Sequence, residues 1–464
     1  MRFIGRQYEL KTLNKLYKQD SFQFVVMYGR RRVGKTRLLS EFCKDKESIF
    51  FVAEEYNDKL ALEKFSKRIL QYYGMNEFMS SFESWEKAFL FLGDRAKEKP
   101  LVLIMDEFPY IVMANKSISS LLQNLIDHSL KNTKLYIVVC GSSMSFMEKE
   151  VLSYKSPLYG RRTAQLKIEP FDFYDSIKFF PKYDFESRVV SYGVLGGIPQ
   201  YLLKFNDKYH VEENIKEHIL DKSSYLHEEP INLLKQELRE PALYNSIIEA
   251  IATGSSKLNE IGTKVGEDTA KCSNYIKSLI ELQIIEKEIP IGEKATTRKT
   301  IYNLKDNLFR FWYKFIFNNV DLIEQEMIDY VYSEKIVPQL SDFMGSVYES
   351  ICIDYLKRKN KKLELPFIFE KVGRWWGNNP VKKRQEEIDI LAINKDKVLI
   401  GECKWRNELL GMKVVNGLIE KASILNYIDK YYMFFSKSGF TKEVLDFAES
   451  NEKIILVSNM EIKE

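Results

Sequence analysis

The sequence contains Gly29-Arg30-Arg31-Arg32-Val33-Gly34-Lys35-Thr36 near its start, which fits G-x-x-x-x-G-K-S/T. This pattern is that of the P-loop, whose glycine-rich backbone holds phosphates. An apolar run over residues 24–28 precedes it, as expected of a buried strand, and residues 37–42 have the pattern of a beginning helix. Backbone N–H groups of such a loop and helix bind phosphate oxygens. The alternative is a glycine-rich turn beside a surface lysine.

Side chains of the loop and of two later segments complete the predicted nucleotide site. We expect Lys35 to reach the β- and γ-phosphates of ATP and the Thr36 hydroxyl to bind Mg²⁺. A second apolar run ends in Asp106 and Glu107. We predict that Asp106 holds Mg²⁺ and that Glu107 orients the attacking water as general base. A solvated acidic turn is the alternative. A third run ends before Ser142, a candidate γ-phosphate sensor together with the serine that follows it. The loop residues predicted to contact the nucleotide are Gly29, Arg32, Val33, Gly34, Lys35, Thr36 and Arg37.

The composition is that of a globular protein with about two to four domains. It has 464 residues, of which 45% are hydrophobic and 29% charged. We find no apolar run that would span a bilayer and no signal-peptide pattern, so we expect a cytoplasmic protein without a membrane partner. Five scattered cysteines argue against a disulfide framework or a structural zinc site. Since the net charge is only +4, binding of nucleic acid has to depend on local basic patches.

Together with these motifs, three more segments give the chain a resemblance to the archaeal-type ATPases of the AAA+/STAND group. The segments are Phe3-Ile4-Gly5-Arg6-Gln7-Tyr8-Glu9-Leu10, Leu158-Tyr159-Gly160-Arg161-Arg162 and Gly196-Gly197-Ile198-Pro199-Gln200-Tyr201. In this group the first lies beside the adenine, and the last, here with Pro199, closes the nucleotide pocket. The resemblance makes Arg161 or Arg162 the candidate charge-stabilising arginine, in cis or from a neighbouring subunit of a homo-oligomer. A solvated basic turn is the alternative for both.

Residues 241–303 have the pattern of three helices followed by a β-hairpin, which is the arrangement of a winged helix. Polar side chains on the third predicted helix and basic side chains on the hairpin are candidates for contacts with DNA. The alternative is a protein–protein or interdomain module with a solvated polar face. The candidate DNA-contacting residues are Lys271, Ser273, Asn274, Lys277, Lys294, Arg298 and Lys299.

Two predicted strands near the end of the chain carry an acidic residue, a spacer and then E-x-K. If the hairpin between them pivots between residues 395 and 396, Asp389 lies directly opposite Glu402, and Lys404 shares the face of Glu402. Two directly opposed carboxylates repel each other, so we expect a hard divalent cation between them. The alternative is an amphipathic hairpin with surface charges.

This acidic pattern resembles that of the PD-(D/E)xK nucleases, in which another acid often comes from a preceding helix. The helix predicted around residues 343–350 offers Glu349 for that role. The resemblance implies a metal site for Mg²⁺, or Mn²⁺, with ligands Glu349, Asp389, Glu402 and the backbone carbonyl of Cys403. It also implies that Asp389, Glu402 and Lys404 are catalytic, with Lys404 beside the attacking water or the scissile phosphate.

We therefore predict an α/β protein in five parts, beginning with a P-loop ATPase core built on a doubly wound parallel sheet. The parts are the ATPase core at 1–205, a helical lid at 206–240, the winged helix at 241–305, a helical linker at 306–340 and a restriction-endonuclease-like α/β domain at 341–464. The leading hypothesis is an ATPase coupled to Mg²⁺-dependent DNA cleavage, in repair, mobile elements or defence. The alternatives are a nucleotide-switched DNA-binding regulator and an oligomerising signalling ATPase, each with an inactive tail.

Overall fold

The chain forms two compact units. The computed structural model describes residues 3–294, 296–380, 382–459 and 462; Ala295, in the predicted charged turn of the hairpin, lies outside them. The first unit comprises Met1–Phe171 and Ile198–Gln200, and the second Asp172–Gly197 and Tyr201–Glu464. Residues 172–197 thus belong to the second unit, although the sequence places them with the ATPase core. The five predicted domain boundaries remain predictions.

The first unit is built on a five-stranded sheet in which every neighbouring pair is parallel. Its strands lie in the order β2-β3-β4-β1-β5. Each residue of β1, β3 and β4 is buried, because parallel strands covered by helices on both faces consist of continuous apolar runs. The predicted doubly wound parallel sheet is confirmed. The strands are β1 Gln23–Tyr28, β2 Ser48–Val52, β3 Leu101–Asp106, β4 Leu135–Gly141 and β5 Ala164–Lys167.

Helices cover this sheet and begin where the local sequence caps them. Asn57 and Ser84 accept hydrogen bonds from the backbone N–H groups of Leu60 and Lys87, which satisfies donors at two helix starts. Phe65, at the centre of the core, packs against other aromatic rings of the same face. The helices of the first unit are Gln7–Tyr17, Lys35–Cys43, Asp58–Tyr72, Trp85–Arg95, Phe108–Ala114, Ile118–His128 and Met144–Phe146.

The second unit begins with helices and a short hairpin. The antiparallel strands β6 Ile285–Glu288 and β7 Ile301–Leu304 follow the three helices between residues 241 and 281. Asp268 caps the third helix by accepting from the Lys271 N–H. The order of elements is the predicted one, while their assignment as a winged helix stays a prediction. The helices of this part are Phe173–Ser176, Phe185–Leu195, Val211–Ile215, Tyr225–Glu237, Pro241–Ala252, Leu258–Val265, Thr269–Glu281, Asn307–Phe311, Val320–Glu324 and Ile328–Tyr330.

A mixed five-stranded sheet ends the chain, in the order β12-β11-β10-β9-β8. The first three strands in sequence pair antiparallel, and β10, β11 and β12 pair parallel. Helices Val337–Lys362, Met412–Ala422 and Lys442–Glu449 accompany the sheet. Among the described residues, no helix is both long and apolar enough to cross a bilayer. The strands are β8 Lys371–Asn379, β9 Arg384–Ile393, β10 Lys397–Lys404, β11 Asp429–Ser436 and β12 Ile454–Ser458.

The register between β9 and β10 is the predicted one. Gly401 lies opposite Ile390 and Val398 opposite Ile393, so continuing the register by one residue places Glu402 opposite Asp389. Gly401 is required by this close pairing, because a Cβ atom there would lie 2.9 Å from the Ile390 Cβ. The two carboxylates therefore face each other across the hairpin.

Candidate functional site

The P-loop follows β1 and wraps around the ammonium group of Lys35. Lys35 Nζ donates to the carbonyl oxygens of Gly29 at 2.7 Å and Arg30 at 3.1 Å. Gly34 has φ +90°, in the left-handed region that favours glycine. A Cβ at Gly29 would lie only 2.3 Å from the Ile168 carbonyl oxygen, so the turn needs a glycine there. The loop therefore presents its backbone and its lysine at one helix N-terminus, as phosphate binding requires.

Thr36, in the first turn of helix Lys35–Cys43, contacts Asp106, the last residue of β3. The Thr36 hydroxyl donates to Asp106 Oδ2 at 2.8 Å, and the Glu107 N–H donates to Asp106 Oδ1 at 3.0 Å. Asp106 is buried, whereas Thr36 is exposed. A hydroxyl and a carboxylate side by side form the kind of oxygen donor set that Mg²⁺ prefers. The residues present thus fit the predicted Mg²⁺ of a nucleotide complex.

Ser142 contacts Glu107 directly. Its hydroxyl donates to Glu107 Oε2 at 3.0 Å, and its backbone N–H lies 3.4 Å from the same oxygen. Glu107 itself has φ +52°, an uncommon conformation for a residue with a side chain. The structure thus brings together two predicted site residues that the sequence assigned to separate tasks. The serine is placed to set the orientation of the candidate base.

Pro199 and Arg6 both approach the P-loop. Pro199 Cγ lies 3.6 Å from the position that a Cβ at Gly34 would take. Arg6 Nη2 donates to the carbonyl oxygens of Val33 at 2.9 Å and Glu169 at 2.6 Å. The sequence pattern named Pro199 but gave Arg6 no role. Arg6 lies in the N-terminal segment at residues 3–10 that the resemblance places beside the adenine. Its hydrogen bond to Val33 shows that this segment supports the P-loop.

Arg161 is bound to an acidic partner in the same unit. Its Nη2 and Nε donate to Asp127 at 2.9 and 3.3 Å, and its Nη1 donates to the Tyr159 carbonyl at 3.0 Å. The neighbouring Arg162 lies over the Tyr159 ring. An arginine finger would have to exchange Asp127 for phosphate oxygens, so the role of Arg161 in ATP hydrolysis remains a prediction.

In the carboxy-terminal domain, the predicted site residues Asp389, Glu402 and Lys404 lie together. Asp389 Oδ2 accepts from the Cys403 N–H at 2.9 Å, and Lys404 Nζ donates to Glu402 Oε1 at 2.6 Å. Lys421, on helix Met412–Ala422, lies 3.5 Å from Glu402 Oε2. Within the described part of the chain, Glu402 Oε2 is buried without a hydrogen-bond partner. A buried carboxylate oxygen of this kind fits a metal ligand.

The electrostatics of this site show a crowding of negative charge. Burial, and then the charge of Glu402, raises the pKa of Asp389 to about 6. Burial, and then the charge of Asp389, raises the pKa of Glu349 to about 7. Burial lowers the pKa of Lys404, but the adjacent Glu402 carboxylate outweighs it and the net shift is upward. Buried carboxyls whose charged form is disfavoured by a neighbouring carboxylate favour binding of a cation.

Glu349 lies beside Arg374, a residue for which the sequence predicts no role. Arg374 Nε lies 3.6 Å from Glu349 Oε2, and its guanidinium also contacts Glu387 and Glu288. Across the described residues, no three His, Cys, Asp or Glu side chains form a metal-binding group. The predicted ligands Glu349, Asp389 and Glu402 therefore do not form one cluster among the described residues, and Glu349 pairs with Arg374 instead. The thiol of Cys403 is buried.

Arg374 also marks where the hairpin β6–β7 packs on the sheet. The Ile291 N–H donates to the Arg374 carbonyl at 2.9 Å, and Trp376 Nε1 donates to the Lys299 carbonyl at 3.2 Å. Lys299 itself pairs with Glu293 at 2.6 Å. The hairpin thus covers the edge strand β8, which agrees better with an interdomain module than with a free wing.

The raised pKa of Asp389 leads to a prediction about stability. Without divalent metal, its folded-state pKa of about 6 exceeds the unfolded value near 3.9, so stability rises as pH falls through about 6 toward 4. Asp389→Asn should weaken this gain and stabilise the protein by about 2 kcal/mol at pH 8. Urea unfolding in EDTA at both ends of this range measures the difference. Asp396→Asn, in the exposed turn of the same hairpin, is the control; an identical pH dependence in wild type and Asp389→Asn contradicts the prediction.

Comparisons with known proteins agree with the P-loop geometry. Residues 3–205 match a family described as an ATPase domain predominantly from Archaea, and residues 312–417 match one described as archaeal and bacterial proteins of unknown function. An uncharacterized protein of Methanocaldococcus jannaschii is 36% identical over 450 residues, which are 95% of this chain and 97% of that protein. This chain belongs to its family. Residues 3–205 of this chain form an archaeal-type ATPase domain, as the P-loop and the Asp106 strand indicate.

The chain was also compared with solved structures. The Walker-type ATPase of Pyrococcus abyssi matches with a TM-score of 0.53 and 19% identity, over 67% of this chain and 96% of that one. The ORC2 protein of Aeropyrum pernix matches with a TM-score of 0.43 and 13% identity, over 69% of this chain and 94% of that one. The first likeness supports the fold of a P-loop ATPase.

Proposed function

We propose that this protein hydrolyses ATP and cleaves DNA phosphodiester bonds with a divalent metal ion bound in its carboxy-terminal domain. The observation that carries the nuclease part is the opposed pair Asp389 and Glu402, with Lys404 donating to Glu402 at 2.6 Å. A carboxyl whose pKa is raised by burial and by the charge of the opposed Glu402, as that of Asp389 is, is costly for stability. Its presence beside a lysine is best explained by a metal and a phosphate that bind there.

At the nucleotide site, the chain's own groups account for binding and for orientation of water. Lys35 is placed to exchange the carbonyls of Gly29 and Arg30 for phosphate oxygens. Mg²⁺, when bound, neutralises phosphate charge, and Thr36 and Asp106 are the residues that would hold it. Glu107, held by Ser142, is the base that would take a proton from the attacking water. Rotation of Glu107 away from Ser142 would then be a step in activation.

At the carboxy-terminal site, Asp389, Glu402 and the Cys403 carbonyl are the groups that would hold Mg²⁺ or Mn²⁺. The ion, when bound, lowers the pKa of its water and stabilises the charge of the transition state. Lys404 then leaves Glu402 and donates to a non-bridging phosphate oxygen or to the attacking water. Glu349 joins the site only after it separates from Arg374, so the hairpin that contacts Arg374 is placed to influence cleavage.

A nucleotide-switched DNA-binding regulator is the second candidate function. The observation that favours it is the contact of Glu349 with Arg374, which leaves the three predicted acids apart. In that case the polar helix of the three-helix module would contact DNA, although Lys271 there pairs with Glu267 at 2.7 Å. Both candidates place the protein on DNA in the cytoplasm, where a homo-oligomer would bring Arg161 to a neighbouring nucleotide.

Incubation of the purified protein with DNA separates the two candidates. Single-stranded, duplex and branched substrates are each tested with Mg²⁺, Mn²⁺ or EDTA, and with or without ATP. Metal-dependent cleavage of any substrate supports the nuclease. Binding without cleavage, modulated by ATP, supports the regulator. Cleavage that persists in EDTA contradicts the metal site.

A further inference from the structure

Glu402 lies between two lysines that come from different elements. Lys404, two residues away on β10, contacts Oε1, and Lys421, in the last turn of helix Met412–Ala422, lies 3.5 Å from Oε2. The Glu402 side chain is 9% exposed, whereas those of Lys404 and Lys421 are 26% and 28% exposed. Both lysine side chains are therefore more accessible to an incoming ligand than the carboxylate that they contact.

Lys421 and its neighbour Glu420 form ion pairs with different parts of the domain. Glu420, the preceding residue, pairs with Lys382 at 2.8 Å and points to another side of the helix than Lys421. Lys421 instead extends to Glu402, and its charge also acts on Asp389 by lowering the pKa of that carboxyl. Two ammonium groups from different elements thus lie beside the opposed pair Asp389 and Glu402.

We propose that Lys421 is a second phosphate-binding residue of this site. It contacts the DNA backbone next to the scissile phosphodiester bond, beside which Lys404 lies. The inference rests on the proposed nuclease function, and it names the phosphodiester backbone as the ligand of this lysine. An incoming phosphate brings anionic oxygens to the exposed side of Glu402, where two ammonium groups donate to them as charge-assisted hydrogen bonds. Lys421 is then a residue that contacts substrate rather than a counter-ion of Glu402 alone.

The salt dependence of DNA binding tests this role without cleavage. Fluorescence anisotropy of a short labelled duplex in EDTA gives the affinity of the full-length protein across a series of NaCl concentrations. Each phosphate neutralised by the protein adds about 0.9 to the slope of log K against log salt. Lys421→Met should lower the slope by about 0.9 and weaken binding roughly tenfold at low salt. Lys421→Arg should retain both values, because arginine also binds phosphate.

Lys413→Met is the matched control, since Lys413 is exposed on the first turn of the same helix. An unchanged slope in Lys421→Met, or no binding of the duplex by wild type, overturns the proposal. A lower thermal midpoint with an unchanged slope also overturns it, because that result is the signature of a purely structural lysine. If the slope falls as expected but wild type cleaves no DNA with Mg²⁺ or Mn²⁺, the nuclease fails while the phosphate contact of Lys421 stands.

Discussion

Lys35→Ala is expected to abolish ATP turnover. The ammonium group of Lys35 is buried inside the P-loop, held by two carbonyl oxygens of the same loop. Alanine removes the only side-chain cation that the P-loop motif places beside the β- and γ-phosphates. Loss of such a charge from a phosphoryl-transfer site costs on the order of 10²–10³-fold in rate or more. Release of inorganic phosphate at saturating ATP measures the effect.

The control for this experiment is Lys44→Ala. Lys44 follows the same helix, is exposed, and pairs only with Glu41 among the described ion pairs. Its loss should leave turnover unchanged, since exposed ion pairs contribute about 0–1 kcal/mol. Circular dichroism shows whether Lys35→Ala still folds. Full turnover in a folded Lys35→Ala protein would remove the P-loop from the ATPase mechanism.

The elements that the sequence predicts well are those specified by local patterns. The P-loop needs only glycines and a lysine at fixed spacing between a strand and a helix, and continuous apolar runs identify the central strands. The opposition of Asp389 and Glu402 follows from the turn position, because strand residues alternate with a period of two. Each of these predictions uses residues that are close in the chain.

The contacts that sequence reasoning missed join residues far apart. Arg6 reaches Glu169, Ser142 reaches Glu107, and Arg374 joins Glu288 to Glu349. Long polar side chains choose partners only after the backbone has packed, so no spacing rule predicts them. For the same reason the sequence does not predict the contact of Lys421 with Glu402. Lys421 lies on a helix whose orientation is set by its packing on β9 and β10.

Asp389→Asn is expected to lower DNA cleavage by about 10²–10³-fold at saturating Mg²⁺, because several kcal/mol of metal-based stabilisation of the transition state are lost. The substitution keeps the shape of the side chain, and the amide oxygen can still accept the Cys403 N–H bond now made by Asp389 Oδ2. The loss would thus follow from the missing charge. Initial rates on the substrate that wild type cleaves best provide the measurement.

Cleavage and stability to urea are expected to change in opposite directions in Asp389→Asn. Asp389→Asn should cleave less and yet unfold at higher urea without metal, because the same buried charge binds the cation and destabilises the empty site. An ordinary structural carboxylate would lose stability together with activity. Asp396→Asn, on the exposed turn, should leave both properties unchanged. Wild-type cleavage by Asp389→Asn would move the metal site away from this pair of strands, whatever its effect on unfolding.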